Sequence, residues 1–281
     1  MMLASIYRKL NLLSIDVALG AVAGGIMASG VTGCAPEWGY WVVLPLSVWL
    51  VYTADHIIDG LNASPPLLHE RHLFHRRNMK ALIIAGIPLA LLTAFFAFST
   101  LPGRMIIYGL VLGLLILAYL GLVMSISRGS PRALQKELLV ALFYTAGIWG
   151  PLYVMQTEHS TYEWLIMLIF FMLAFADLLL LSILELGRDS QEGEPSFPGN
   201  YGPEVAKRLF QFISILALSG AAFVMLTGQD PLHRKASLLL GIMDILLIFI
   251  FELYEGSKKE LGFRYFSELV FLVPALMLLW Y

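Results

Sequence analysis

Val51-Tyr52-Thr53-Ala54-Asp55-His56-Ile57-Ile58-Asp59-Gly60 closes a long apolar run with two carboxylates four residues apart. On a helix that spacing stacks Asp55 above Asp59 on one face. They stand at the C-terminal end, where the backbone dipole already disfavours anions. A single acid there commonly marks a lipid–water boundary and nothing more. A second copy alters the reading. Glu185 and Asp189, again four apart, end another apolar run, and both members are displaced by the same step along the chain. Charge near a membrane needs a partner, so two stacked acid pairs call for a shared cation.

Outward from these pairs the chain is apolar throughout, with 59% hydrophobic and 14% charged residues among 281. Nine runs are long enough to cross a bilayer, at roughly 13–33, 39–59, 80–100, 104–126, 136–156, 163–187, 206–228, 235–254 and 263–281. The expected fold class is therefore all-α: a polytopic membrane protein of about nine transmembrane helices, forming a single transmembrane domain over 1–281. Arg8 and Lys9 before a run reaching Cys34 give a likeness of a signal peptide with a lipidation cysteine. Asp16 interrupts that run, which reads instead as the first helix. Cys34 is the only cysteine, which excludes an internal disulfide and a cysteine-rich metal site. The net charge of −2 says little about partners, and no nucleic-acid partner is expected.

Charge placement sets the orientation. With the N-terminus cytoplasmic, 15 of the 18 lysines and arginines fall on the cytoplasmic side, leaving Arg104, Arg234 and Lys235 opposite. Both acid pairs then face the cytoplasm, and a bacterial inner membrane is the expected location. Two cytoplasmic loops, 60–79 and 188–205, would cap the site. The first opens with Asn62-Ala63-Ser64-Pro65-Pro66, which cannot continue a helix, and turns basic at His69-Glu70-Arg71-His72-Leu73-Phe74-His75-Arg76-Arg77. Histidines spaced by three suggest metal ligands, but iron-dependent membrane desaturases need about eight in several boxes, and His159 and His233 lie on the far side. Arg71, Arg76 and Arg77 admit two readings: contacts to lipid headgroups, or to phosphate oxygens beside the metal.

Elsewhere Gly20, Gly24, Gly25, Ser29 and Gly30 mark a closely packed first helix. Gly147-Ile148-Trp149-Gly150-Pro151 points to a kink or close packing beside a cavity. Asp16 reads as a buried hydrogen-bonded acid, Asp177 lies in mid-run above Ser182, and Asp244 and Glu268 read as structural or pocket-lining. The acid pairs end the second and sixth runs, so the chain divides into two parallel four-helix halves. Inverted repeats, common in secondary transporters, are not indicated.

Four carboxylates at one membrane face suit a hard divalent cation. Mg²⁺ prefers oxygen ligands and commonly bridges carboxylates to substrate phosphates. With basic residues beside it the natural ligand is a diphosphate, and the apolar bundle would hold a hydrocarbon chain. Together these describe an isoprenyl diphosphate, with its head at the surface and its tail among membrane lipids. Metal and cationic side chains would stabilise the leaving diphosphate.

The chain resembles the UbiA superfamily of intramembrane prenyltransferases, nine-helix proteins with two Asp-rich motifs at the cytoplasmic ends of helices 2 and 6. Against N-D-x-x-D-x-x-x-D, Asp55 and Asp59 match the later acids, whereas Val51 and Tyr52 replace the leading Asn and Asp. In the second motif Glu185, Asp189, Gly193 and Ser196 match, with Glu for the first Asp. A further family Asp falls on Leu178, beside Asp177. Lys136 resembles the basic residue that opens helix 5, and Gly147 to Pro151 the G-x-x-G-P run after it. The resemblance implies a Mg²⁺-dependent transfer of an isoprenyl group to a lipophilic or aromatic acceptor. Asp55, Asp59, Glu185 and Asp189 would hold metal, and Arg71, Arg76, Arg77 and Lys136 would contact diphosphate. A membrane terpene cyclase and a non-enzymatic lipid-binding or transport protein are the alternatives on the same fold. The CDP-alcohol phosphotransferase pattern fails at His56. Acceptor, donor length and oligomeric state are not written in the residues.

Overall fold

A computed structural model of the protein describes residues 2–64, 69–125, 133–255 and 262–280. Pro65, Pro66, Arg128, Arg132, Lys258 and Lys259 lie outside the described residues. Among the described residues the elements are α1 (Met2–Leu12), α2 (Ile15–Thr32), α3 (Tyr40–Asn62), α4 (Glu70–Thr100), α5 (Gly103–Ser125), α6 (Ala133–Tyr153), α7 (Thr161–Glu192), α8 (Phe197–Tyr201), α9 (Pro203–Thr227), α10 (Pro231–Tyr254), α11 (Phe263–Val270) and a 3₁₀ helix (Val273–Trp280). Eight spans are long and apolar enough to cross a membrane: α2, α3, α4, α5, α7, α9, α10, and α11 taken with the 3₁₀ helix. α6, at 21 residues, is a further long helix of the bundle. The protein is an all-α integral membrane protein.

The outer faces explain why such a chain needs lipid. Ile84, Leu91 and Phe95 on α4, Ile107 and Leu114 on α5, and Ile215 and Leu226 on α9 are all exposed. Patches of that extent are not sustained against water. Inside, α7 forms the spine. It begins with a capping box at Ser160 and Glu163, buries Ile166, Phe170, Leu173, Leu179 and Leu180, and packs on α6, α9 and α10. The small residues of α2 let it enter the centre of the bundle. A Cβ on Gly24 would lie 3.0 Å from Phe170, and one on Gly20 would lie 3.1 Å from Phe271.

Three sequence expectations change. A separate helix, α1, precedes the first apolar run, and Ser14, with a φ of 54°, divides it from α2, so Asp16 stands in the first turn of α2. There it accepts hydrogen bonds from Tyr7 Oη at 3.3 Å and Asn11 Nδ2 at 2.6 Å, which is the structural role expected of it. The segment 60–79 is mostly helical: α3 runs through Asn62 and α4 starts at Glu70, with His69 as its N-cap. Segment 188–205 likewise contains the end of α7, the short α8 and the start of α9. The last span changes from α-helix to 3₁₀ helix ahead of Pro274, whose missing N–H cannot serve an α-helical ladder.

The short α3–α4 connection brings those helices into close contact. At the crossing, a Cβ on Gly60 would lie 2.8 Å from the His72 carbonyl oxygen. Because that neighbour is backbone, Gly60→Ala has to push the helices apart, and it is expected to cost about 1–3 kcal/mol, seen as a lowered thermal midpoint in detergent.

Candidate active site

Between α3 and α7 lies a cavity of about 720 Å³. Its wall includes Asp55 and Asp59 from α3, Glu185 and Asp189 from α7, Lys136 and Glu137 from α6, and Arg71 and Arg77 from α4. The two acid pairs therefore face one space. Local chain geometry puts them there. α3 continues for three residues past Asp59, whose carbonyl receives the Ala63 N–H at 2.8 Å. α7 is stopped by Gly193 in the left-handed region, φ 71°, and the Glu194 N–H returns to the Asp189 carbonyl at 2.8 Å. Glycine suits that φ because it has no Cβ to clash.

The pairs differ in their company. Lys136 Nζ lies 3.0 Å from both Asp59 oxygens. Asp55 Oδ1 is buried, with no hydrogen-bond partner among the described residues. Donor atoms of Asp55, His56 and Asp59 all lie within 4.8 Å of one another. The orphaned Asp55 oxygen beside the Asp59 carboxylate fits a hard divalent cation through oxygen ligands, while His56 Nε2 faces Arg71 at 3.1 Å. On α7, Glu185 accepts from Arg264, through Nε at 3.0 Å and through Nη2. Asp189 Oδ1 meets His69 Nε2 at 2.9 Å. The second pair is thus already balanced by side chains of the protein.

Of the four basic residues expected at the site, Lys136 is engaged with Asp59. Arg71 is buried and donates to Glu268 at 2.8 Å and to the carbonyl and side chain of Asn11, while its Nη1 lies 3.1 Å from His56 Nε2. Arg77 is exposed on the cavity rim. Arg76 is exposed and does not line the cavity. Reading the sequence missed Arg264, Glu194 and the pairing of His69 and His72 with acids. The histidine spacing of three was the available signal, since it places side chains on one helix face. His75 departs from the others: fully buried, it turns to the Arg71 carbonyl at 2.9 Å. Glu194 is held above the usual carboxylate range, chiefly by burial and then by Asp59, with Asp189 and Glu192 adding to it and Lys136 opposing. Glu268 and Asp177 line the cavity, whereas Asp244 is fully buried apart from it.

A second, apolar cavity of about 340 Å³ runs between α3, α5 and α6, past Val48, Leu112, Ile116, Phe143, Gly147 and Pro151. It shares Tyr52, Asp55, Val140 and Tyr144 with the first. The Tyr52 and Tyr144 rings meet edge to face at 6.5 Å. The close packing expected at Gly150 is a contact with Tyr108, whose hydroxyl donates to the Ala146 carbonyl at 3.0 Å.

No protein-family model matches this sequence, and no curated protein matches it. Solved structures do. A UbiA homologue from Archaeoglobus fulgidus bound to GPP and Mg²⁺ aligns with a TM-score of 0.66 at 16% identity, over 96% of this chain and 96% of that one. A UbiA homologue from the same organism bound to DMAPP and Mg²⁺ gives 0.65 at 14% identity, over 95% and 98%. An apo UbiA homologue from Aeropyrum pernix K1 gives 0.64 at 13% identity, over 94% and 98%.

Proposed function

We propose that this chain, which has the UbiA fold, is an intramembrane prenyltransferase that moves an isoprenyl group from an isoprenyl diphosphate to a lipophilic or aromatic acceptor. One observation carries the reading: a polar, acid-lined cavity adjoins an apolar groove between helices across a shared wall of Tyr52, Asp55, Val140 and Tyr144. That shape fits an amphiphile with a doubly charged head and a hydrocarbon chain. The solved structures with DMAPP or GPP and Mg²⁺ support the same substrate class.

Asp55 and Asp59 are the residues best placed to hold Mg²⁺, with Asp189 and Glu185 opposite. Bound there, Mg²⁺ would neutralise diphosphate oxygens and make diphosphate a better leaving group. Lys136, beside Asp59, and Arg77, at the rim, add positive charge for the head. The walls of the groove keep water from the allylic carbon once its bond to oxygen weakens. Tyr52 and Tyr144 stand at the junction, where aromatic rings suit a developing cation. The acid-bearing end is proposed to face the cytoplasm of a bacterial inner membrane, under a cap built from the 60–79 and 188–205 segments.

The Arg264–Glu185 and His69–Asp189 pairs favour one competing reading, a protein that binds such lipids without turning them over. Incubating purified protein with radiolabelled isoprenyl diphosphates, Mg²⁺ and candidate acceptors separates the cases. A prenylated acceptor is expected; a cyclic hydrocarbon or alcohol identifies a cyclase, and retention without turnover a binding protein. Donor length provides a further check. Gly113 lines the groove and a Cβ there meets nothing within 4 Å. Gly113→Phe should fill that space, reducing kcat/KM for the longest donors by roughly 10-fold or more while sparing the shortest.

A further inference from the structure

From the first turn of α4 and the end of α7, we infer a second cation site that is separate from the four acids: His72, Glu192 and Glu194 hold a divalent ion of the zinc class. His72 Nδ1 lies 2.7 Å from Glu192 Oε2 and 3.5 Å from Glu194 Oε1. One ligand atom from each of the three residues falls within 4.8 Å of the others. Ligands about 2.0–2.2 Å from a tetrahedral ion stand roughly 3.3 Å apart, so small side-chain rotations bring these atoms into place. The side chains are not surface groups that meet by chance. Glu192 is fully buried and His72 is 8% exposed.

Local geometry builds the cluster. Glu192 is the last residue of α7, and the left-handed turn at Gly193 brings Glu194 back beside it. Glu192 is anchored from both sides: its Oε1 receives the His69 N–H at 2.6 Å and its carbonyl receives the Ser64 N–H at 2.9 Å. Two carboxylates thus sit at a helix C-terminus, where the dipole opposes them. Lys136, which faces Glu194, is held by Asp59, and His72 brings an imidazole to the two carboxylates. Imidazole with carboxylates selects zinc-like ions, while Mg²⁺ favours oxygen ligands alone. Three protein ligands leave a fourth position, and His72 and Glu194 both border the cavity, so water or a substrate oxygen can complete the shell. The ion would clamp the start of α4 to the end of α7, and the inference stands whether or not the chain turns over a diphosphate.

The test is calorimetric titration of Zn²⁺ into chelator-stripped, full-length protein in detergent, with Mg²⁺ in large excess to occupy oxygen-only sites. One Zn²⁺ per chain is expected. His72→Ala and Glu194→Gln should each weaken it by at least about 10-fold, while Asp59→Asn binds it as the parent does. Co²⁺ in place of Zn²⁺ should give visible absorption bands that His72→Ala removes. Absence of Zn²⁺ binding over the Mg²⁺ background overturns the site. So does unchanged binding in both His72→Ala and Glu194→Gln, or loss confined to Asp59→Asn, which would put the ion on the α3 acids. If His72→Ala fails to give a monodisperse protein, the conservative Glu194→Gln decides.

Discussion

Asp59→Asn should lower prenyl transfer by roughly 1,000-fold or more, the scale of removing a group that stabilises charge developing on a leaving oxygen. The substitution keeps the shape of the side chain and removes its charge. Asp59 is buried, its two oxygens share Lys136, and it sits in the same ligand group as Asp55 and His56. A purely structural residue would lose stability in step with activity. Because Lys136 is 30% exposed and still faces Asp55 and Glu194, it is not stranded, so the variant should keep its thermal midpoint within a few degrees while turnover disappears and its Mg²⁺ dependence shifts to higher concentration. Full activity in Asp59→Asn would remove the α3 acids from the chemistry. A loss of folding equal to the loss of turnover would assign Asp59 to packing alone.

The largest stability effect is expected at Arg264. Its guanidinium makes two bonds to the buried carboxylate of Glu185 and also lies 3.7 Å from Glu268. Removing one partner of a buried pair leaves an uncompensated charge, which costs more than the intact pair contributes. Because Arg264 itself is a quarter exposed, Arg264→Met should cost about 3 kcal/mol, the lower end of the range for buried pairs. Adding Glu185→Gln removes the stranded charge, so the double variant should regain most of the loss. The exposed pair Arg8–Glu70 provides the contrast: Arg8→Ala should change stability by no more than about 0.5 kcal/mol. Denaturation midpoints of all four proteins in one detergent decide the matter. A single Arg264→Met variant as stable as the parent would mean that water reaches Glu185.

How far the amino-acid order announces this arrangement depends on the range of each interaction. Nine spans are legible because apolar length is a local property. The convergence of Asp55 and Asp59 with Glu185 and Asp189 is legible too, since equal spacing at two run ends on one side leaves few other geometries. The polar start of α4 is hidden: Glu70 to Asn78 is too hydrophilic to extend an apolar run, yet it is helical and faces α3 and the cavity. Arg264 meets Glu185 across 79 positions, a pairing that leaves no periodic mark. Ser14 divides α1 from α2 with a backbone angle that an ordinary serine does not advertise. The histidines show the same limit. Their spacing puts them on a helix, but only the fold reveals that His69 and His72 turn towards acids while His75 turns away.

The contact between Gly60 and the His72 carbonyl has a mechanical consequence. Asp59 and His72 ride on helices locked against each other at that point, so they travel as one jaw. Any change in the width of the cavity between α3 and α7 therefore moves Asp59 and His72 together relative to Glu185 and Asp189.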